Sequence, residues 1–337
     1  MTRPLPRLRS LPVSASDRPR LSVVVDTEEE FDWGAPPSRS ETRVTAMRHV
    51  GRAQRIFDGL GLLPTYVIDY PVASQRAGFE PLRAIQADGR CSIGAHLHPW
   101  VNPPYTEELS GWNTFMMNLP ADVQRDKLQR LTEQIATSFE QIPTVFKAGR
   151  YGLGAETVEI LESLGYVVDA SVCPRMDFSE SGGPSFADFD SDPFMLTERL
   201  LELPCTVDYI GWIGHRGRRL HELASQHAFR PLRGVGVLAR LGAVNRVMLS
   251  PETSSLDEMK ELARSLVSRG HRILTMSFHS PSLDIGHTPY VRTQGDLEGF
   301  LGKIERFCEY FLGDLGGEPD SPLGFHKRTS LLTGQTP

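Results

Sequence analysis

No apolar run in the 337-residue sequence approaches the roughly 18 to 20 residues that a membrane-spanning helix needs, so no membrane span is expected. Cysteine is scarce. The four present, Cys91, Cys173, Cys205 and Cys308, are scattered and form no C-x-x-C pair, which excludes a disulfide framework and a cysteine zinc site. Positive charge is not in excess either. Lys and Arg number 36 against 42 Asp and Glu, giving a net charge of -6 and a pI near 6.0, so a basic nucleic-acid binder is excluded. No Walker A loop, G-x-S-x-G elbow or H-E-x-x-H helix occurs. Met1 to Arg20 lacks the apolar core of a secretory signal, and a cytoplasmic location is the expectation. Apolar residues at 39% and charged residues at 23% make an ordinary globular balance and exclude wholesale disorder.

What is present is an alternation of strand and helix patterns. Leu21 to Asp26 is a β-branched run typical of a buried strand. Val44 to Leu60 has helical spacing with Gly61 as its stop. Strands are expected at Thr65–Ile68, Cys91–His98, Thr144–Phe146, Tyr166–Val168, Leu200–Val207, Arg246–Leu249 and Arg272–Phe278. Helices are expected around Val123–Phe139, Val158–Leu164, Leu256–Leu266 and Leu297–Phe311. About eight strands alternating with helices predict a parallel α/β barrel in a single domain. The expected layout is a flexible arm over 1–20, a barrel over 21–315 carrying an insertion at 215–245, and a loose tail over 316–337.

In such a barrel, chemistry gathers where strands end. The predicted ends deliver Asp26, Glu28, Asp69, His96, His98, Lys147, Arg150, Asp169 and His279 to one rim. His96 and His98 are two apart, so in an extended strand they share a face, as do Asp26 and Glu28. Two imidazoles and a carboxylate make a metal shell with a position left open for water. Zinc fits best, and Co, Ni, Mn or Fe fit the same donors. His49, His215, His221, His227, His271 and His326 read as structural or surface residues. His287 lies in Gly286–Tyr290, a segment that could be a loop over the site. Gly149 to Gly154 reads as a turn carrying functional side chains, because its glycines do not follow the dinucleotide-binding order.

Five blocks together resemble the polysaccharide deacetylase superfamily, the NodB-homology carbohydrate esterases, and its WalW-like branch most closely. They are Val25-Asp-Thr-Glu-Glu-Glu-Phe-Asp-Trp33, Gly94-Ala-His-Leu-His-Pro-Trp-Val-Asn-Pro-Pro104, Phe146-Lys-Ala-Gly-Arg-Tyr-Gly152, Asp169-Ala-Ser171 and Ser277-Phe-His-Ser-Pro-Ser282. The resemblance spans about Leu21 to Phe311. It implies a distorted barrel of seven or eight β/α units and a metal-dependent hydrolase that removes acetyl groups from acetylated sugars. It implies Asp26 as catalytic base, Glu28, His96 and His98 as metal ligands, and His279 as the acid, tuned by Asp169. It implies an arginine orienting the base, carried onto Arg150, and a backbone N–H near Tyr151 facing the oxyanion.

The sequence departs from that pattern in three places. The first block has Asp26-Thr-Glu28 in place of adjacent aspartates. Trp100, not histidine, stands four residues after His96. Lys147 occupies the simple alignment position of the arginine, so either Lys147 or Arg150 pairs with Asp26. Trp33, Trp100, Tyr151 and Lys147 are the expected substrate contacts. Trp112 and Tyr105 lie in nearby loops, where aromatics either stack on sugar rings or anchor the loop. The expected partner is an acetylated sugar or glycan, nucleotide-linked or lipid-linked. Two other readings remain: a metal-dependent amidohydrolase acting on a cyclic amide or nucleobase, and a non-catalytic glycan-binding protein.

Overall fold

The computed structural model describes residues 4–11, 14, 16–225, 236, 238 and 240–333. The strands are β1 (Arg9–Ser10), β2 (Arg20–Thr27), β3 (Thr65–Ile68), β4 (Ser92–Leu97), β5 (Val145–Ala148), β6 (Val168–Asp169), β7 (Phe194–Met195), β8 (Leu201–Glu202), β9 (Val207–Ile210), β10 (Asn245–Met248), β11 (Ile273–His279) and β12 (Glu318–Pro319). The main sheet runs β1-β7-β8-β6-β5-β4-β3-β2-β11, with β12 added to the start of β2. From β8 through β11 its ladders are parallel, as the strand-helix alternation predicts.

The strands read as continuous apolar runs because both faces are buried. Leu21, Val23 and Val25 pack outward under the helices, whereas Val24 points inward with Val67, Val145, Val168, Leu201 and Ile273. That inward set fills the lower barrel. Alternation then carries Asp26, two residues past Val24, into the interior above it. The same step carries Lys147 inward past Val145.

Among the described residues the ladder does not close, so the expected barrel is a distorted one. β9 and β10 pair only with each other, antiparallel. The seam beside β11 is held by separate hydrogen bonds: Ser277 N–H donates to Leu249 O over 3.2 Å, and Thr275 N–H donates to the Thr206 hydroxyl over 2.8 Å. The expected strand at Leu200–Val207 is split between β8 and β9.

The segment after 316 is not loose over its described part. Glu318 and Pro319 pair with Arg20 and Leu21, and the helix Pro322–Thr333 sends Phe325, only 4% exposed, into the inward cluster. It caps the bottom of the barrel, opposite the rim. The arm over 1–20 is also partly ordered, since β1 pairs with β7. In the 215–245 insertion, Arg218–Ser225 is helical. His227 lies outside the described residues.

Candidate active site

The rim side chains converge on a cavity of about 520 Å3 at the upper end of the strands. Register explains the convergence. Asp26 is opposite His279 across β2 and β11, and His96 is opposite Lys147 across β4 and β5.

The first grouping is Glu28, His96 and His98, all buried. Glu28 Oε2 lies 3.6 Å from His96 Nε2 and 3.4 Å from His98 Nε2. His96 Nδ1 is 2.9 Å from Lys147 O. A carbonyl only accepts, so Nδ1 carries the hydrogen and a neutral His96 turns the Nε2 lone pair toward Glu28. His98 Nδ1 is 2.8 Å from Glu29 Oε2, which leaves its Nε2 facing the same point. Burial pulls the pKa of both imidazoles down, that of His98 to about 4, so both are neutral at physiological pH. Burial also pushes the Glu28 carboxyl up to about 7. Its Oε1 is buried with no hydrogen-bond partner. Two unprotonated nitrogens and an orphaned carboxylate oxygen suit a divalent cation, and the three residues fit the expected metal shell.

The second grouping is Asp26 with Lys147. Lys147 Nζ donates to Asp26 Oδ1 over 2.7 Å and to Oδ2 over 2.8 Å. Burial opposes ionisation of Asp26. The Lys147 ammonium, helped by His279, outweighs burial and holds the carboxyl below its usual range. Lys147 is pushed above the usual lysine range by the reciprocal attraction, against its own burial.

Arg150 does not pair with Asp26, which corrects that part of the sequence reading. Strand β5 ends at Ala148, and Arg150 sits in a left-handed turn beyond it, at φ 53°, followed by Tyr151 at φ 60°. Its Nη1 donates to the Thr114 hydroxyl, and its guanidinium lies 4.3 Å over the Phe115 ring. Lys147 is therefore the partner of Asp26, and its ammonium is taken up by that pair rather than offered as a substrate contact.

The third grouping is His279 with Glu252. His279 Nδ1 is 2.8 Å from Glu252 Oε2, and His279 N–H donates to Glu252 Oε1 over 3.2 Å. His279 Nε2 faces Asp26 Oδ2 at 3.7 Å. Burial disfavours the imidazolium, but Glu252 and then Glu28 outweigh it and raise the pKa to about 10.

Asp169 is not the tuning acid. Val168 points into the barrel, so by alternation its neighbour Asp169 points away. Asp169 instead accepts from the Ser171 backbone and hydroxyl. In register beside it stands Glu202, whose own carboxyl burial and Asp169 hold well above the usual range. Glu252, three residues past the expected strand Arg246–Leu249, is the residue the sequence reading missed.

Glu29 was missed as well. It is fully buried and accepts from His98 Nδ1 and, over 2.9 Å, from Trp100 Nε1. Its own N–H donates to Asp69 Oδ2 over 2.6 Å. Trp100 stacks on His98 with ring centroids 4.3 Å apart, so this ring supports the imidazole as well as lining the cavity. Gly149 closes in from the other side: a Cβ there would lie 2.3 Å from His98 Cδ2, so only glycine fits. Replacing Glu29 with glutamine leaves one acceptor for two N–H donors. Metal affinity is expected to fall about 10- to 100-fold, measured by competition with a chelator. Unchanged affinity would exclude Glu29 from orienting His98.

The remaining wall is aromatic. Trp33 stands edge-on to His279 at 5.0 Å, and Tyr151 stacks on Phe178 at 5.3 Å. Both line the cavity, whereas Tyr105 and Trp112 do not. His287 belongs to a neighbouring groove, bridging Glu30 at 3.2 Å and Asp284 at 3.5 Å.

No sequence profile of a known family matches the chain, and no curated protein matches it by sequence. Solved structures do match in fold. A protein described as a polysaccharide deacetylase from Mycobacterium smegmatis is 14% identical at a TM-score of 0.53, over 98% of this chain and 97% of the other. One described likewise from Pseudomonas aeruginosa PAO1 is 16% identical at 0.55, over 97% and 96%. The PuuE allantoinase is 15% identical at 0.57, over 99% of both chains. The fold is the mixed α/β fold these deacetylases share with that allantoinase.

Proposed function

We propose that the chain is a metal-dependent hydrolase that removes an acetyl group from an acetylated sugar. The observation that carries this reading is the placing of two oppositely tuned groups, ionised Asp26 and protonated His279, 3.7 Å apart beside the Glu28–His96–His98 grouping. An acid and a base poised this way suit hydrolysis of an amide or ester.

Glu28, His96 and His98 would hold a divalent cation, zinc by preference, whose chemistry there is Lewis-acid polarisation of a carbonyl and activation of water. Asp26 takes the proton from the attacking water, its carboxylate kept ionised by Lys147. A backbone N–H near Tyr151 faces the developing oxyanion. His279 passes its Nε2 proton to the leaving nitrogen or oxygen, and Glu252 stabilises the imidazolium until transfer. Trp33 and Tyr151 offer ring faces and edges on which a pyranose can rest. The fold likeness to the two proteins described as polysaccharide deacetylases supports the sugar.

The likeness to the allantoinase favours one second reading, hydrolysis of a ring amide. The same acid and base would serve it, with the leaving nitrogen staying attached to the product.

The test begins with metal content. Protein purified without added metal is expected to carry about one equivalent of a transition metal, lost in the His96→Ala, His98→Ala double variant. No metal in the wild type after soaking with zinc, cobalt or nickel would overturn the hydrolase reading and favour a glycan-binding protein. Acetate release from acetylated amino sugars, set against ring opening of a hydantoin, then separates the two hydrolase readings.

A further inference from the structure

Two carboxylates lining the cavity have a cationic partner: Asp26 has Lys147 and Glu252 has His279. Glu28 faces two neutral imidazoles. Arg150 is the cavity's cation left without a carboxylate. Its side chain lines the cavity, is exposed to it, and touches only the Thr114 hydroxyl and the Phe115 ring. Among the described residues no carboxylate pairs with it, and burial alone lowers its pKa, with no acid acting on it.

The two jobs that would explain such an arginine are already filled. Lys147 orients and ionises the base. Trp100, Glu29 and Gly149 hold His98. What remains is a planar fork on the cavity wall, braced on Phe115, with one nitrogen anchored by Thr114 and no hydrogen-bond partner for the others among the described residues. That is the preorganised form in which guanidinium binds carboxylate or phosphate through two parallel hydrogen bonds. The backbone also favours this placement, because two consecutive non-glycine residues in the left-handed region cost energy and recur where function fixes a side chain.

Position adds direction. The cavity's other free charges, Asp32 and Glu41, sit on the loop after β2. Arg150 follows β5, three strands along the ladder from β2. Gly149 packs on the His98 ring, so the cation lies next to the reacting centre rather than at a distant lip.

We propose that Arg150 selects an anionic sugar, binding a carboxylate or phosphate carried on or next to the ring whose acetyl group is removed. This inference rests on the deacetylase reading and narrows its substrate class.

The test uses sugars without an acetyl group, so turnover plays no part: glucose, glucuronate and glucose 1-phosphate. Calorimetry is run on the full chain at matched metal loading, wild type against Arg150→Met. Wild type is expected to bind at least one anionic sugar ~10-fold or more tighter than glucose, as charge-assisted hydrogen bonds provide. That preference should fall to within about threefold in the variant. Tighter glucuronate binding would assign a uronic or similar acid, and tighter glucose 1-phosphate binding a sugar phosphate. No preference in wild type overturns the proposal, and so does a preference that survives in Arg150→Met, since the metal alone would then hold the anion. If Arg150→Met melts well below wild type, Arg150→Gln takes its place, with the same outcomes. Failure of these arms with normal acetate release removes only the anion. Failure of acetate release with intact selectivity removes only the deacetylase reading.

Discussion

Replacing His279 with glutamine is expected to lower kcat/KM for acetate release by ~10²–10⁴-fold, the usual weight of a general acid, while metal content stays at the wild-type level. The reason is geometric. His279 faces Asp26 and is held by Glu252, but it is not one of the three side chains whose donor atoms meet at Glu28. His96→Ala should differ by losing both activity and metal. Equal metal loss in the two variants would sink this division of roles. Glu252 supplies a further check. On the proposed mechanism the protonated form of His279 is the active one, present below its raised pKa of about 10 and lost above it. In Glu252→Gln the anionic partner is gone and that pKa falls. The alkaline limb of the kcat/KM profile should then move to lower pH. A limb that stays in place would mean that His279 is not the group that titrates there.

How much of this was legible in the sequence depended on local geometry. The spacings Asp26-x-Glu28 and His96-x-His98 worked because β2 and β4 are extended and buried to their ends, so period two decides which side chains meet. The same rule, applied to β5 and β6, distinguishes residues the resemblance left open. Val145 points inward, so Lys147 does too and reaches Asp26, while Arg150 lies past the strand end, where alternation no longer holds. Val168 points inward, so Asp169 cannot. Glu252 was hidden because it lies three residues beyond the expected strand, in a loop whose path depends on packing under Ser282 and His279. The ordered tail was hidden for another reason. Its helix carries few apolar residues, and it is fixed by Phe325 entering the barrel and by a two-residue pairing with β2. Neither leaves a periodic signal.

Lys147→Met is the sharpest test of the buried pair. It keeps the volume of the lysine stem and removes the ammonium from a carboxylate that is 4% exposed. Breaking a buried pair by removing one partner costs about 3–5 kcal/mol, because the other charge is left uncompensated. The sign of its pH dependence follows. In the wild type, Asp26 is depressed, so its contribution is present above the ordinary carboxylate pKa and is lost only as pH falls through the lower folded value. In the variant, burial is no longer outweighed, and the folded pKa of Asp26 rises above the unfolded one. The variant then loses stability relative to wild type as pH rises from about 4 toward neutrality, where Asp26 must stay protonated or ionise unpaired. Urea unfolding at pH 5 and pH 7.5 should show the larger deficit at pH 7.5. Hydrolysis should fall at neutral pH as well, since a protonated Asp26 cannot take a proton from water. A deficit under about 1 kcal/mol, or one equal at both pH values, would mean that Lys147 neither holds Asp26 ionised nor stabilises the barrel through it.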